Sequence, residues 1–251
     1  MTWIELEGAS NVRDLGGLPT VDGRATRHGV LLRADNLQDL TPSDVARLSD
    51  LGVATVLDLR TSAEVEITGP GPLRSTGVTH RHLDLIPHGL DGRDDLVDKT
   101  IPDETAGEHA MDHFYIDYVH HAPAAVADAL RTIADPHSGA VLVHCAAGKD
   151  RTGVVVAVAL SLVGVRRDAV VADYARSGER IAAIRDRLMA TELYAADLQH
   201  RTLDSMRPHA ENIDRFLQRV DSEYGGVHGL AMTIGVDEET VARLSRRLLA
   251  D

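Results

Sequence analysis

The chain has 251 residues, with 39 acidic against 26 basic side chains and a net charge of −13, a balance that argues against nucleic acid as a partner. It holds a single cysteine, which excludes an intrachain disulfide and fits a reducing compartment. Residues Met1 to Glu7 show neither a basic region nor a long apolar run, so no secretory signal is expected and a cytoplasmic location is. A chain of this length can bury roughly 70–75% of its unfolded surface in one core, and we read residues 1–251 as one domain.

In chain order, His28 to Arg33 reads as a strand. Thr41-Pro42 opens a helix running to about Leu51, with Pro at its first position. Val53 to Leu59 and Val78 to Leu85 read as further strands. The stretch from Pro87 to Glu108 is polar and rich in Gly, Pro and acids. It reads as a lid or a surface insertion, extending to about residue 120. Helices follow near His109 to His120 and Pro123 to Ala134. Val141-Leu142-Val143 is an apolar strand, and Val154 to Val163 an apolar helix, too short for the roughly 20 residues that span a bilayer. Residues 166–251 read as helical, with breaks at Arg207-Pro208, Gly225-Gly226 and Gly235. Alternation of strands and helices followed by helices predicts an α/β fold: a central sheet flanked by helices, with a helical C-terminal part.

Between the apolar strand and the apolar helix lies His144-Cys145-Ala146-Ala147-Gly148-Lys149-Asp150-Arg151-Thr152-Gly153. A strand–loop–helix of this form turns backbone N–H groups inward beside a helix N-terminus, which suits a phosphate dianion. The same positive field favours the thiolate of a cysteine on its rim. Cys145 is thus the candidate nucleophile. The amides of Ala146, Ala147, Gly148, Lys149, Asp150 and Arg151 would hold the equatorial oxygens, and the guanidinium of Arg151 would clamp two of them. Thr152 could donate to the Cys145 sulfur, and Gly153 completes the loop. His144 would orient the loop rather than act as a base. The Gly148-Lys149 pair does not make a nucleotide-binding loop, because Val143 stands where that motif needs Gly and Asp150 where it needs Ser or Thr.

Other residues carry weaker signals. The pair His109 and His113, and the set His80, His82 and Asp84, have spacings that can bind zinc, but cysteine chemistry needs neither metal nor cofactor, and none is expected. Arg13 and Arg60 either hold distal parts of a substrate or pair with Asp14, Asp58 or Glu64. The general acid is either Asp150, already in the loop, or an upstream aspartate: Asp84 next, with Asp91, Asp112 and Asp117 also eligible.

At these residues the chain resembles the cysteine-based protein-tyrosine and dual-specificity phosphatase superfamily. More narrowly it is similar to the bacterial tyrosine-phosphatase-like branch that also dephosphorylates phosphoinositides. The resemblance rests on Asn11-Val12-Arg13-Asp14-Leu15-Gly16-Gly17, where the branch has Phe in place of Val12, on Asp58-Leu59-Arg60 with Glu64, on the full cysteine loop, and on Asp173-Tyr174-Ala175-Arg176-Ser177. It covers about residues 10 to 180, and weakly the helical C-terminus. It implies a phosphate-monoester hydrolase working through a phosphocysteine, with phosphotyrosine proteins as the default substrate. Lys149 and Asp150 resemble lipid-phosphatase loops and leave a phosphoinositide open, and a sugar or nucleoside phosphate remains a third substrate class. Against an enzyme stands a noncatalytic phosphate-binding module, which would predict loss of Cys145 or Arg151; both are present. Nothing in the sequence indicates an oligomeric state.

Overall fold

The computed structural model describes residues 2–86 and 110–250. Its sheet has six strands among the described residues: β1 (Thr2–Trp3), β2 (Arg13–Asp14), β3 (Leu31–Ala34), β4 (Val53–Asp58), β5 (Thr79–His82) and β6 (Ala140–His144), in the order β1-β2-β3-β6-β4-β5. The four strands β3, β6, β4 and β5 run parallel, while β1 and β2 extend one edge antiparallel. β6 is central and buried along its whole length. This explains why Val141-Leu142-Val143 reads as a continuous apolar run instead of alternating.

Around the sheet lie the helices α1 (Pro42–Asp50), α2 (Ser62–Thr68), α3 (Ala110–His121), α4 (Pro123–Ala134), α5 (Asp150–Leu162), α6 (Arg167–Arg176), α7 (Ile181–Met189), α8 (Glu192–Leu198), α9 (Ala210–Tyr224), α10 (Val227–Thr233) and α11 (Glu238–Leu248). α5 is buried on nearly every face, which is why its sequence is apolar all round. It packs in the larger core with α3, α4, α6 and α9, where Tyr115, Ile116, Val126, Leu130 and Phe216 are buried. A second core on the other face of the sheet joins Leu32, Leu48, Val56, Leu73 and Leu142.

The predicted elements are present, with shifted ends. The strand expected from His28 to Arg33 is Leu31–Ala34, and the one from Val78 to Leu85 shortens to Thr79–His82. The helix expected after Thr41 is Pro42–Asp50, and Thr41 forms a capping box with Asp44. The expected break near Arg207-Pro208 lies in the stretch between α8 and α9, and those at Gly225-Gly226 and Gly235 separate α9 from α10 and α10 from α11. The candidate lid from 87 to 109 lies outside the described residues. The rest of that span is α3, with Tyr115, Ile116, Tyr118 and Val119 buried in the main core.

Parallel pairing sets Ala34, His144 and Asp58 level with one another across β3, β6 and β4. The residues that follow them, Asp35-Asn36, Cys145 to Lys149 and Leu59-Arg60, therefore leave the sheet at one edge. In open parallel sheets, the carboxyl ends of the strands are where ligands bind.

Candidate active site

Cys145 follows β6 directly and is 2% exposed. The loop from Ala146 to Lys149 then enters α5, whose first intrahelical bond runs from Gly153 N to Lys149 O. The amides of Asp150, Arg151 and Thr152 lie in the first turn, where N–H groups have no partner within the helix. Gly148 has φ +64°, and a Cβ there would meet Ala34 O at 2.2 Å. The bend thus needs glycine both for its left-handed backbone and for its close approach to β3.

The loop is braced from behind by the flanking motifs. Asn11 Nδ2 donates to Ala147 O at 2.9 Å and to Gly148 O at 3.2 Å. Arg33 donates to Gly148 O at 2.7 Å, and Asn36 N to Ala146 O at 3.0 Å. Every one of these donors sits on the outside of the turn and bonds a carbonyl. Carbonyls held outward leave the amides of the same peptides facing the other way, toward the concavity.

Behind the donors is a buried charge cluster. Asp173 pairs with Arg13 Nε at 2.8 Å and with Arg33 at 2.6 Å, and Arg13 also donates to Asn11 Oδ1 and to Ser177 Oγ. Burial alone would raise the Asp173 carboxyl; the charges of Arg13 and Arg33 outweigh it and hold the carboxyl below its ordinary range. The Trp3 ring, on β1, lies beneath three guanidiniums, those of Arg13, Arg176 and Arg180, at 4.8 to 5.1 Å.

Arg13 therefore does not take the partners expected from sequence, Asp14 or a substrate group. Pairing of β2 with β3 places Arg13 opposite Arg33, so one carboxylate on α6 serves both. Asp173→Ala should leave two fully buried guanidiniums unpaired and cost about 3–5 kcal/mol of stability, measured as the loss in urea unfolding free energy. Because the folded-state carboxyl is depressed, the wild-type contribution is complete above about pH 4 and is lost as pH falls through the folded value. A loss below about 1 kcal/mol, the scale of an exposed ion pair, would contradict the bracing role.

Arg151 is 1% exposed and meets Glu64 through both ends of its fork, NH1 to Oε2 at 2.5 Å and NH2 to Oε1 at 3.1 Å. Glu64 is the third residue of α2, in a capping box with Thr61, and it also accepts from Tyr194 Oη at 2.8 Å. Burial pushes this carboxyl up, but Arg151, the Thr61 N–H and the Tyr194 hydroxyl together hold it below the ordinary range. Glu64 was a candidate partner for Arg13 or Arg60 from sequence. Instead it holds Arg151, because the capping box at Thr61 turns its side chain back across the end of β4. Arg60 pairs with Asp58 at 2.5 Å, as one of the two sequence alternatives had it.

His144 lies under the loop with Nδ1 3.2 Å from Cys145 O. Burial lowers it to about 4, so the imidazole is neutral near pH 7 and acts by position. Thr152 Oγ1 is buried with no hydrogen-bond partner among the described residues, so the expected Thr152 bond to the Cys145 sulfur is not formed here. Lys149 Nζ donates to Met206 O at 2.9 Å and stands 3.4 Å from Asp150 Oδ2. Asp150, whose other oxygen accepts from Tyr115 Oη at 2.5 Å, is buried beside the loop.

Among the alternative acids, Asp84 accepts from Ser62 N, Ser62 Oγ and Ile86 N at the start of α2. Asp117 is exposed on α3, 3.8 Å from His120. Asp91 and the side chain of Asp112 lie outside the described residues. The same holds for His109 and the side chain of His113. His82 Nε2 sits 2.7 Å from Arg60 O. Among the described residues no three His, Cys, Asp or Glu side chains are grouped to hold a metal ion, and no helix is long and apolar enough to cross a membrane.

The site has a cover that sequence reading did not assign. Ala146 packs in a cluster with Ile181, Ile184, Leu188, Leu193, Tyr194 and Met206. α7, α8 and the following turn thus pack against the loop at Ala146, with Lys149 of the loop bonded to Met206 O and Tyr194 bonded to Glu64, the partner of Arg151. The only sequence signal was the apolar spacing within 181–198, which any packed helix would show.

A cysteine at the end of a central parallel strand, a glycine-bent loop and a buried arginine in the first turn of the next helix form the layout of a cysteine-based phosphatase. The chain belongs to the tyrosine phosphatase family, which it matches over residues 4–250. It is 32% identical to triple specificity protein phosphatase PtpB of Mycobacterium tuberculosis, across 98% of each chain. It is 30% identical to a tyrosine-protein phosphatase of Nostoc commune, over 92% of this chain and 78% of that one. With a putative tyrosine-protein phosphatase of Cupriavidus necator it shares 29% identity over 89% and 81%. Among solved structures, P. aeruginosa TpbA is a loose likeness, with TM-score 0.36 and 19% identity over 71% of this chain and 84% of that one. The protein is a cysteine-dependent phosphatase of the tyrosine-phosphatase type.

Proposed function

We propose that this enzyme hydrolyses phosphate monoesters through a phosphocysteine on Cys145, with phosphotyrosine proteins as its main substrates. The Cys145 sulfur attacks phosphorus in line, the S–P bond forms as the P–O bond breaks, and Asp150 gives its proton to the leaving oxygen. Water then attacks phosphorus, a water proton goes to Asp150, and the thiolate is restored with release of inorganic phosphate. Arg151 and the amides of Ala146, Ala147, Gly148, Lys149, Asp150 and Arg151 stabilise the equatorial oxygens, with Thr152 and Gly153 closing the loop. The observation that carries this reading is the fork of Arg151, buried in the first turn of the helix that follows the Cys145 loop and held in one orientation by Glu64. The names of the relatives, tyrosine-protein phosphatase and triple specificity protein phosphatase, support protein substrates.

Asp150 is favoured over Asp84 as the acid because it is in the loop, where a bound dianion favours its protonated form. Asp150→Asn should slow poor leaving groups such as alkyl phosphates much more than an activated aryl phosphate, and should flatten the basic limb of the pH–rate profile. A uniform loss across leaving groups would return the acid to an upstream aspartate.

A second substrate reading, a phosphoinositide, is favoured by Lys149 of the loop, whose ammonium bonds a carbonyl of the cover and faces Asp150 among the described residues. The test is kcat/KM on phosphotyrosine peptides, phosphoserine peptides, phosphoinositides and small sugar or nucleoside phosphates. Phosphotyrosine peptides should lead. Lys149→Ala should harm a phosphoinositide far more than an aryl phosphate if the lipid reading holds, and both alike if it does not.

A further inference from the structure

Three elements converge on the carboxylate of Asp150. From α3, Tyr115 Oη donates to Oδ1 at 2.5 Å. From α6, Tyr174 Oη meets Tyr115 Oη at 2.5 Å. The Tyr115 hydrogen is committed to the carboxylate, so Tyr174 is the donor in that contact. From the loop, Lys149 Nζ lies 3.4 Å from Oδ2. Among the described residues Arg33 on β3 also faces the cluster, through its bond to Gly148 O and its field at Tyr174. Burial and the Asp150 charge keep both phenols above their ordinary range, so both are neutral donors.

Packing does not account for this chain of hydroxyls. Phenylalanine would fill the same space against Tyr118 and Phe216, which the Tyr115 ring already meets at 6.0 and 6.4 Å. It would also avoid burying two polar groups. The Tyr115 hydroxyl meets one oxygen of the carboxylate, and the Tyr174 hydroxyl meets Tyr115 and the Asn212 side chain. The other oxygen, Oδ2, lies on the side of Lys149 and the loop.

We propose that Tyr115, braced by Tyr174, is a positioning residue for Asp150: it occupies Oδ1, confines the transferable proton to Oδ2, and stabilises the carboxylate left when that proton goes to the leaving oxygen. The same bond holds the carboxylate ready to take the water proton in the second step. This inference rests on the reading of Asp150 as the proton donor.

The test is Tyr115→Phe, with Tyr174→Phe as a milder second variant that keeps the Tyr115 bond but removes its brace. A donor to the ionised form favours that form. Its removal should move the basic limb of kcat/KM to higher pH by about one unit in Tyr115→Phe, and by less in Tyr174→Phe. At the low-pH plateau, the rate on an alkyl phosphate should fall several-fold more than on an activated aryl phosphate. The midpoint of a carbon-13 NMR titration of the Asp150 carboxyl in the substrate-free enzyme should move in the same direction. A merely structural role would lower activity at every pH and leave the limb in place. An unmoved limb and midpoint, with Asp150→Asn still flattening the profile, would overturn the role of Tyr115 and leave the acid assignment standing. An unflattened profile in Asp150→Asn would remove the acid assignment and the positioning role with it.

Discussion

Cys145→Ser should abolish turnover while leaving the fold intact. Cys145 is 2% exposed and sits where the loop leaves β6, and exchange of its sulfur for an oxygen changes the side-chain volume little. A serine hydroxyl at that position stays protonated and is a weak nucleophile without a base, and the neutral His144 beneath the loop is directed at the Cys145 carbonyl, not at its side chain. Thermal unfolding should match wild type. The variant should also bind a phosphotyrosine peptide without releasing phosphate, which makes binding and chemistry separately measurable. Iodoacetate and peroxide should inactivate the wild type, since both need the thiolate, and no second cysteine exists to protect the first by an intrachain disulfide. Turnover by purified Cys145→Ser near the wild-type rate would contradict the mechanism.

Arg151→Lys should be nearly as damaging as Arg151→Ala. A lysine can answer Glu64 with one charge, but it cannot offer two parallel N–H groups to Glu64 and, through the rest of the fork, two more to a phosphoryl group. Loss of such a clamp should cost about 3 kcal/mol or more of transition-state stabilisation, a fall of at least about a hundredfold in kcat/KM. Arg151→Ala should in addition lose stability, since among the described residues it leaves the buried carboxylate of Glu64 with Thr61 N and Tyr194 Oη as hydrogen-bond partners and no bonded cation. A lysine variant that keeps most of the activity would show that charge alone suffices and that bidentate geometry does not matter here.

The loop and its frame were legible in the sequence because they are local. An apolar run into Cys145, small residues and Gly148 in the turn, and an apolar run after Thr152 each state their own conformation. The helix after Thr41 announced itself by its cap and its proline in the same way. The contacts that hold the loop were not legible, because they join residues far apart in the chain. Asp173 lies 160 positions from Arg13, and Glu64 lies 87 from Arg151. Charge type alone allowed Arg13 to pair with Asp14 or Glu64, and only the pairing of β2 with β3 decides against both. The cover was missed for a related reason. Helices α7 and α8 have the apolar spacing of any packed helix, and nothing local says that the surface beneath them is the loop. The polar stretch from 87 reads as a lid or a surface insertion because its composition is unusual, whereas the cover over the loop is compositionally ordinary. The Tyr115 and Tyr174 rings lie in the main core, and the role of their hydroxyls depends on Asp150, which lies on a third element, so no local pattern marks it.

The central claim is that phosphate passes through Cys145. Wild-type enzyme mixed with a radiolabelled phosphotyrosine peptide and quenched within milliseconds should carry one phosphoryl group on the peptide that contains Cys145, appearing and decaying at rates consistent with steady-state turnover. Asp150→Asn should change how fast the label forms without moving its place. Phosphate release at the wild-type rate with no label on Cys145, or with the label on another residue, would contradict the account.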